Sequence, residues 1–293
     1  MKIQNSYEQS DYGKLYLVPT PIGNLDDMTF RAVNVLKEVD LIAAEDTRHT
    51  KKLLSHFSIH NELISYHEHN RFERIPILLE KLRQGKHIAL VSDAGMPAIS
   101  DPGFELVREA IANDVSVIVL PGANAAVSAL VGSGLATESF YFHGFLPRKN
   151  RDKLDVLERL KHLQATIIFY ESPHRVLDTL QALKQQFGDR NAALARELTK
   201  IYEQYIRGTI DEIAQYVKQH PLRGECVIVV EGYSGEAAPA DDEWWEELTL
   251  EEHVLYYEKE ENLSHKEAMK RAAKDRNMSK RDVYQALHVK KTE

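Results

Sequence analysis

The chain has 293 residues, of which 43% are hydrophobic and 28% are charged, and its formal net charge is −8. This length and composition indicate a folded protein of about two domains with a small appendage, and they exclude a single small module, a collagen-like repeat and a mainly disordered chain. The apolar runs are far shorter than the roughly 20 residues that span a bilayer, no secretory signal is recognisable and the single cysteine is Cys226, so we expect a cytoplasmic protein without internal disulfides.

Residues 14–233 alternate short runs rich in branched apolar residues with longer segments of helical periodicity. The first four runs are predicted strands, at Lys14–Val18, Asp40–Ala44, His87–Ser92 and Val115–Leu120. Between them, apolar residues recur every three to four positions, which predicts helices that cover a mostly parallel sheet.

A second set of predicted strands follows, at Ser139–Phe145, Ala165–Glu171, Asn191–Glu197 and Glu225–Glu231. The clearest helix begins at Pro173, with Ser172 as its predicted cap and Gly188 as its end. We therefore predict an α/β fold with two α/β domains, at residues 1–120 and 121–233.

The C-terminal part of the chain has a different composition. Residues 234–247 predict an acidic linker, and residues 248–293 a helical tail in which each of three helices starts at a capping box, Thr249 with Glu252, Ser264 with Glu267 and Ser279 with Asp282. A short turn joins the last two helices in a helix-turn-helix manner. The net charge is −10 from Ser234 to Leu263 and +5 from Ser264 to Glu293, so the tail is a candidate surface for nucleic acid as well as an ordinary solvated face.

Loops rich in glycine and proline follow the predicted strands of the first domain. They span Pro19–Asp27, Ala44–Thr50, Asp93–Gly103 and Pro121–Gly134. Turn formation explains any one of these loops, but ligands of open α/β sheets bind at the carboxyl ends of the strands. Four such loops in succession therefore predict a ligand site at one rim of the sheet.

The motifs that are missing restrict the chemistry of this site. No GxGxxG, GxxxxGK[ST], HExxH or GxSxG pattern is present, which disfavours NAD, nucleoside triphosphates, zinc proteases and serine hydrolases. His67 and His69 are interpreted as a polar strand face, since no third ligand accompanies them and no metal site is predicted.

Basic residues cluster at the ends of the same loops and close to the aromatic residues Phe145 and Tyr170. This combination suits a nucleic acid, because cations bind phosphates and aromatic rings stack on bases. The candidate RNA-binding residues are Arg48, His49, Arg148, Lys149, His174, Arg175 and Arg196.

Seven segments, taken in order, resemble those of one enzyme family: PTPIGNLDDMTFRA, EDTRHT, VSDAGMPAISDPG, PGANA, GFLPRK, YESPHR and RELTK. The family is ribosomal RNA small subunit methyltransferase I, within the tetrapyrrole methylase superfamily. The resemblance covers about Leu15–Gly232, and it is weaker over the tail. One departure is Ala126, where many members have a proline.

The resemblance implies an enzyme that uses S-adenosyl-L-methionine to methylate the ribose 2′-hydroxyl of a cytidine in the decoding region of 16S rRNA. It also implies a cytoplasmic homodimer that binds the methyl donor in a cleft between the two α/β domains. Carried over by position, the donor-binding residues are Pro21, Asp93, Ala94, Gly95, Met96, Pro97, Ile99, Gly122, Ala123, Asn124, Ala125, Tyr170 and Leu194.

A ribose hydroxyl is a weak acid, so a carboxylate or imidazole that accepts its proton would assist methyl transfer. We expect Glu45 or Asp46 to be this base, with Arg48 on a neighbouring phosphate, and Glu171 with His174 as the second choice. Three other functions stay open: a tetrapyrrole or protein methyltransferase of the same fold, a nucleic-acid-binding regulator that uses the tail, and a metabolic enzyme with an adenosine-containing cofactor.

Overall fold

The computed structural model describes residues 1–6, 8, 11–235, 245, 248–261, 263–276 and 278–288. Most of the predicted acidic linker, residues 234–247, therefore lies outside the described residues. The chain divides into two compact units, Met1–Ser234 and Gly235–Glu293. The first unit contains both predicted α/β domains, so the boundary predicted at residue 120 stays a prediction.

The first sheet of the larger unit is entirely parallel, as the sequence predicts. Its order is β3-β2-β4-β1-β5. The strands are β1 (Leu15–Leu17), β2 (Leu41–Ala44), β3 (Leu63–Ser65), β4 (Ile88–Val91) and β5 (Val117–Val119). The sequence reading missed β3, an edge strand whose three residues are only partly buried.

Helices cover both faces of this sheet. They are α1 (Phe30–Glu38), α2 (Thr47–His56), α3 (Arg71–Arg83) and α4 (Phe104–Ala112). Leu41 and Ala43 pack in the core under α3 and α4, whereas Ile42 and Ala44 pack in the core under α1 and α2. Because β2 is buried on both faces, its sequence is a continuous apolar run.

The second sheet is mixed, which corrects the expectation of a mostly parallel arrangement throughout. Its order is β6-β7-β10-β8-β9, and only the β6–β7 pair is parallel. The strands are β6 (Phe140–Phe145), β7 (Thr166–Glu171), β8 (Asn191–Arg196), β9 (Gln204–Thr209) and β10 (Cys226–Val230). The sequence did not predict β9, which forms an antiparallel hairpin with β8. Because the hairpin reverses the chain, β10 runs antiparallel to β7.

Four helices flank the second sheet: α5 (Ala125–Ser133), α6 (Asn150–Leu160), α7 (Val176–Phe187) and α8 (Ile210–Gln219). The α5 helix packs on one face, and α6, α7 and α8 pack on the other. The predicted cap of α7 is wrong. The helix begins at Val176 rather than Pro173, and within the described residues no side chain caps its first turn, whereas Gly188 ends it with a φ of +76°.

The smaller unit contains α9 (Leu250–Lys259), α10 (His265–Asp275) and α11 (Lys280–His288). The capping box of Thr249 with Glu252 is confirmed. In α10, the backbone N–H of Ser264 donates to the Glu267 carboxylate. The core of this unit is small and contains Val254, Tyr257, Ala268 and Ala272. Among the described residues, each helix is too short or too polar to span a bilayer.

Candidate functional site

The loops that follow β1, β2, β4 and β5 meet at the carboxyl edge of the first sheet. Thr20 and Gly95 exchange two backbone hydrogen bonds of 3.0 Å, which join the loops after β1 and β4. Gly122, after β5, lies so close to Pro19 that an added Cβ would be 2.7 Å from the Cβ of the proline. The predicted convergence of loops is therefore present in the structure.

A cavity of about 440 Å³ opens where this rim faces the second sheet. Its wall includes eight of the predicted donor-binding residues: Asp93, Ala94, Gly95, Met96, Ile99, Asn124, Ala125 and Tyr170. The other five are outside the described wall: Pro21, Pro97, Gly122, Ala123 and Leu194. Leu194 is fully buried in the core under α6, α7 and α8.

Several wall residues were not predicted from the sequence. The loop Gly224–Val227, which leads into β10, and Ser172–Pro173, after β7, reach the cavity from the second sheet. Ile22, Ser100 and Asp101 also line the cavity, as does Phe145, which the sequence analysis names as an aromatic residue next to the basic cluster. Asp101 lies in the predicted ligand loop Asp93–Gly103. Its position as an acidic residue in that loop could have identified it as a candidate site residue.

The loop after β4 has an unusual backbone. Gly95 and Gly103 have φ values of +79° and +152°, and the non-glycine residues Ala98 and Ser100 also have positive φ, +67° and +62°. Residues with a Cβ rarely adopt this region, and such strain is characteristic of functional sites. The strained turns at Ala98 and Ser100 set the course of the backbone that presents Asp101 to the cavity.

Five carboxyl groups line the cavity: Glu45 after β2, Asp93 and Asp101 after β4, Glu171 at the end of β7 and Glu225 before β10. The backbone N–H of Asp93 donates to Glu45 Oε2 at 3.4 Å, and the backbone N–H of Asp46 donates to Asp93 Oδ1 at 3.1 Å. Burial raises the pKa of Glu45, and the charge of Asp93 adds to that effect. Burial, followed by the charges of Glu45 and Asp93, raises the pKa of Asp101 to about 7.

The other two predicted bases have different surroundings. Asp46 caps α2 by accepting from the backbone N–H of Arg48 at 2.8 Å, and it also binds the Arg48 guanidinium, which holds the pKa of Asp46 far below its ordinary value. Glu171 is buried and accepts hydrogen bonds of 2.8 Å from the Ser172 N–H and the Thr179 hydroxyl. Asp46 is outside the described cavity wall, whereas Glu171 lines the cavity and is held by these two protein donors.

The predicted RNA-binding residues fall into two groups. Five have exposed side chains at the ends of loops and helices: Arg48, His49, Arg148, Lys149 and His174. Arg175 instead donates to the carbonyls of Leu146 and Pro147 at 3.0 and 3.2 Å, and Arg196 donates to Gln204 and to the carbonyl of Arg223. The last two arginines therefore tie parts of the second sheet together.

Two aromatic rings, Phe145 and Tyr170, line the cavity on the side of the second sheet. The hydroxyl of Tyr170 accepts a 3.2 Å hydrogen bond from the backbone N–H of Ala126, in the first turn of α5. Phe142 and Phe145 pack edge-on against Tyr170, with ring centroids 4.9 and 5.7 Å apart. Phe145 is 55% exposed, which leaves part of its surface free at the mouth of the cavity.

Within the described residues, no three His, Cys, Asp or Glu side chains are grouped so that they could hold a metal ion. His67 and His69 lie in the turn after β3, with ring centroids 6.0 Å apart. The interpretation of these two histidines as a polar strand face is therefore wrong.

Comparison with known proteins places this geometry in a family. A sequence model of the Tetrapyrrole (Corrin/Porphyrin) Methylases matches residues 14–214. Ribosomal RNA small subunit methyltransferase I of Bacillus subtilis is 53% identical over 96% of both chains, and the protein of the same name from Halalkalibacterium halodurans is 53% identical over 98% of this chain and 99% of that one. A crystal structure of uroporphyrin-III C-methyltransferase from Thermus thermophilus, complexed with S-adenosyl homocysteine, has the same fold, with a TM-score of 0.54 and 18% identity over 75% of this chain and 97% of that chain.

Proposed function

This chain belongs to the ribosomal RNA small subunit methyltransferase I family of the tetrapyrrole methylases, and from that premise we propose that it methylates the ribose 2′-hydroxyl of a cytidine in the decoding region of 16S rRNA. The coarser activity follows from the family: the chain is an S-adenosyl-L-methionine-dependent methyltransferase of small-subunit rRNA. We place its action in the cytoplasm, where bacterial ribosomal subunits are assembled.

The observation that carries this proposal is the chemistry of the cavity. S-adenosyl-L-methionine has a flat purine, whose faces pack on apolar side chains, and a cationic sulfonium, and when bound it supplies a methyl group already activated for transfer. The cavity offers apolar side chains, Ile22, Met96 and Val227, beside the carboxyl groups of Glu45 and Asp93. Its volume of about 440 Å³ is within the range of small-molecule sites. The residues present therefore fit a cationic nucleoside donor.

The predicted donor-binding residues fall into three groups according to their position relative to the cavity. The eight that line the cavity are proposed to contact the donor directly. Gly122 and Ala123 are proposed to shape the loop beside it, since Gly122 packs on Pro19 and the Ala123 carbonyl lies next to Gly95. For Pro21 and Pro97 we propose the same supporting role, because each adjoins a wall residue in the chain. Leu194, buried in the core, supports the second sheet.

The acceptor side of the site is proposed to be the mouth of the cavity. Phe145 offers an exposed aromatic ring there, and Arg148 and Lys149 follow it closely in the chain with exposed side chains. Stacking on an aromatic ring and cationic contacts to phosphates are how proteins bind unpaired nucleotides. In a cavity from which water is displaced, the protein mainly has to hold the hydroxyl in line with the methyl group.

The proposal is tested with the purified full-length protein and small ribosomal subunits from cells that lack this enzyme. Labelled methyl from S-adenosyl-L-methionine is expected in 16S rRNA, at a cytidine whose neighbouring phosphodiester resists alkaline hydrolysis because its 2′-hydroxyl is blocked. The Gly95→Ala variant is the control, since Gly95 has a φ of +79° in the cavity wall and an added Cβ would be 3.2 Å from Ile22; we expect it to lose the activity. Label on a base, on a protein or on a porphyrinogen would refute the proposal.

We also propose that the protein acts as a homodimer through an apolar face of the larger unit. On α5, Val127 and Val131 are exposed to 47% and 70%, on the side opposite the buried alanines of that helix. At the β8–β9 turn, Ile201 and Tyr202 are exposed to 91% and 69%. The Tyr205 hydroxyl, at the start of β9, donates to the Ser128 carbonyl of α5 at 3.2 Å, so this end of β9 adjoins the helix. Clustered exposed apolar side chains are typical of protein interfaces, and two-fold dimers are the commonest assembly.

Sedimentation velocity tests this assembly. The wild-type protein is expected to be a dimer, and Val131→Asp to shift it towards monomer, because the carboxylate would be buried without a partner. Ile77→Asp, at an exposed apolar position on α3, is the matched control and should remain dimeric. A monomeric wild-type protein, or a Val131→Asp variant that dimerises like wild type, would refute this assignment.

A further inference from the structure

Asp101 lines the cavity from the loop after β4, and it is not among the carboxyl groups predicted from the sequence as bases. It lies in the wall with Glu45 and Asp93, whose charges act on it from the ends of β2 and β4. Its own charge acts in turn on Tyr170, which β7 contributes from the second sheet. Asp101 therefore lines the same cavity as residues from both sheets.

We propose that Asp101 is the catalytic residue that accepts the proton of the substrate hydroxyl, and that Glu45 and Asp93 are the carboxylates that hold the cationic donor. This inference rests on the proposed function and names a residue of the same site. The strained turns at Ala98 and Ser100 support it, because they hold a part-buried carboxyl group at the cavity without burying it in the core.

The bonding of the other carboxyl groups favours this assignment. Asp46 is paired with Arg48, and Glu171 accepts from Ser172 and Thr179. An acceptor already engaged by strong donors is a weak base. Glu45 accepts only a long bond, from the Asp93 N–H, so it is the principal competitor of Asp101.

The proposed step conserves atoms and charge. The hydroxyl oxygen forms a bond to the methyl carbon as the bond from that carbon to sulfur breaks, and the electron pair of the broken bond stays on sulfur. The hydroxyl proton moves to a carboxylate oxygen of Asp101 and leaves to solvent after the product departs. The neutral carboxyl group is then compatible with the charges of Glu45 and Asp93 nearby.

The groups that face Asp101 determine its pH dependence. Ser92 hydrogen-bonds to it and opposes the increase in its pKa, whereas Glu45 and Asp93 raise it. Burial raises the pKa of Tyr170 above its ordinary value of 10, so Tyr170 does not titrate near neutrality. Glu225 also lines the cavity and is paired with Lys200 at 3.0 Å.

The first test compares Asp101→Asn with Glu45→Gln, which removes the neighbouring charge without changing the side-chain shape. For Asp101→Asn we expect kcat for rRNA methylation to fall by about 10²- to 10⁴-fold, the usual contribution of a positioned base. In wild type, kcat/KM should decrease as pH falls below about 7. This acidic limb of the pH profile should be absent in Asp101→Asn. Glu45→Gln should keep the limb, shifted to lower pH because one negative charge has been removed, while its KM for the donor rises.

The second test needs no turnover. A bound sulfonium cation favours the ionised form of Asp101, so binding of S-adenosyl-L-methionine near pH 7 should release a fraction of a proton. Calorimetric titration in buffers of different ionisation enthalpy measures this release. It should largely disappear in Asp101→Asn and persist in Glu45→Gln.

The results separate failure of this inference from failure of the proposed function. If wild type binds the donor but methylates no rRNA, the proposed function fails, and proton release that depends on Asp101 still locates the titrating group. If wild type methylates rRNA and Asp101→Asn has an unchanged kcat and pH profile, the assignment to Asp101 is overturned. If Glu45→Gln instead abolishes both the limb and the proton release, Glu45 is the base.

Discussion

Replacing Asp101 by asparagine is expected to stabilise the folded protein at neutral and alkaline pH, although the residue is proposed to act in catalysis. The folded structure raises the pKa of Asp101 from 3.8 to about 7. Folding therefore favours the protonated carboxyl group, and the stability of wild type is lost progressively as pH rises from about 4 to about 7. Asparagine does not ionise, so the variant does not lose this stability.

The magnitude follows from the shift. At about 1.4 kcal/mol for each pKa unit, a fully buried group would cost roughly 4 kcal/mol above pH 7. Asp101 is only partly buried, so water screens its charge and we expect roughly 1–2 kcal/mol. For a unit the size of Met1–Ser234, each kcal/mol corresponds to roughly 2–4 °C in the melting temperature.

The assay is thermal unfolding of wild type and Asp101→Asn without ligand, in steps from pH 5 to pH 9. The melting temperature of the variant should increase relative to that of wild type as pH rises to about 7, and above pH 7 the difference should stay constant. Asp27→Asn, at an exposed acid in the turn before α1, is the control and should show no such pH-dependent gain. A difference that does not vary with pH, or an Asp101→Asn variant less stable than wild type above pH 7, would refute the reasoning.

Three further predictions follow from contacts around the cavity. Gly122→Ala should lower stability by roughly 1–3 kcal/mol and weaken donor binding, because the new Cβ would be 2.7 Å from the rigid ring of Pro19; melting temperature and calorimetry measure the two effects. Arg175→Ala should cost roughly 2–3 kcal/mol in urea unfolding, since it removes hydrogen bonds to two loop carbonyls and the ion pair with buried Glu171. Phe145→Ala should weaken binding of small subunits by about 1–3 kcal/mol in filter binding, more than it weakens donor binding, because a base is proposed to stack on this exposed ring.

Each of these has an outcome that would contradict it. Unchanged stability in Gly122→Ala would mean that the loops after β1 and β5 separate easily. Arg148→Ala is the control for Arg175→Ala, because its side chain is exposed, and equal losses in both would show that the loop contacts of Arg175 add nothing. A Phe145→Ala variant that binds small subunits like wild type would remove the ring from the acceptor site.

The parallel sheet and its ligand rim could be predicted because their signals are local in the sequence. A strand that is buried on both faces, such as Ile88–Val91, is an uninterrupted apolar run. Glycine and proline mark the loops at its end, and parallel strands bring their carboxyl ends to one edge. The edge strands β3 and β9 escaped the prediction because they are half exposed and lack such a run.

The direction of strands in the second sheet, and the electrostatics of the cavity, were decided only by the tertiary structure. The hairpin of β8 and β9 reverses the chain, and this reversal brings Gly224–Val227 to the cavity. Asp101 has a pKa near 7 because folding buries it beside Glu45, 56 positions earlier in the chain. Arg175 contacts loop carbonyls and Glu171 rather than solvent for the same reason. The local sequence pattern thus determined which residues form the rim. Desolvation and charge interactions act between residues far apart in the sequence, so only the tertiary structure determined what each carboxyl group and each arginine can do.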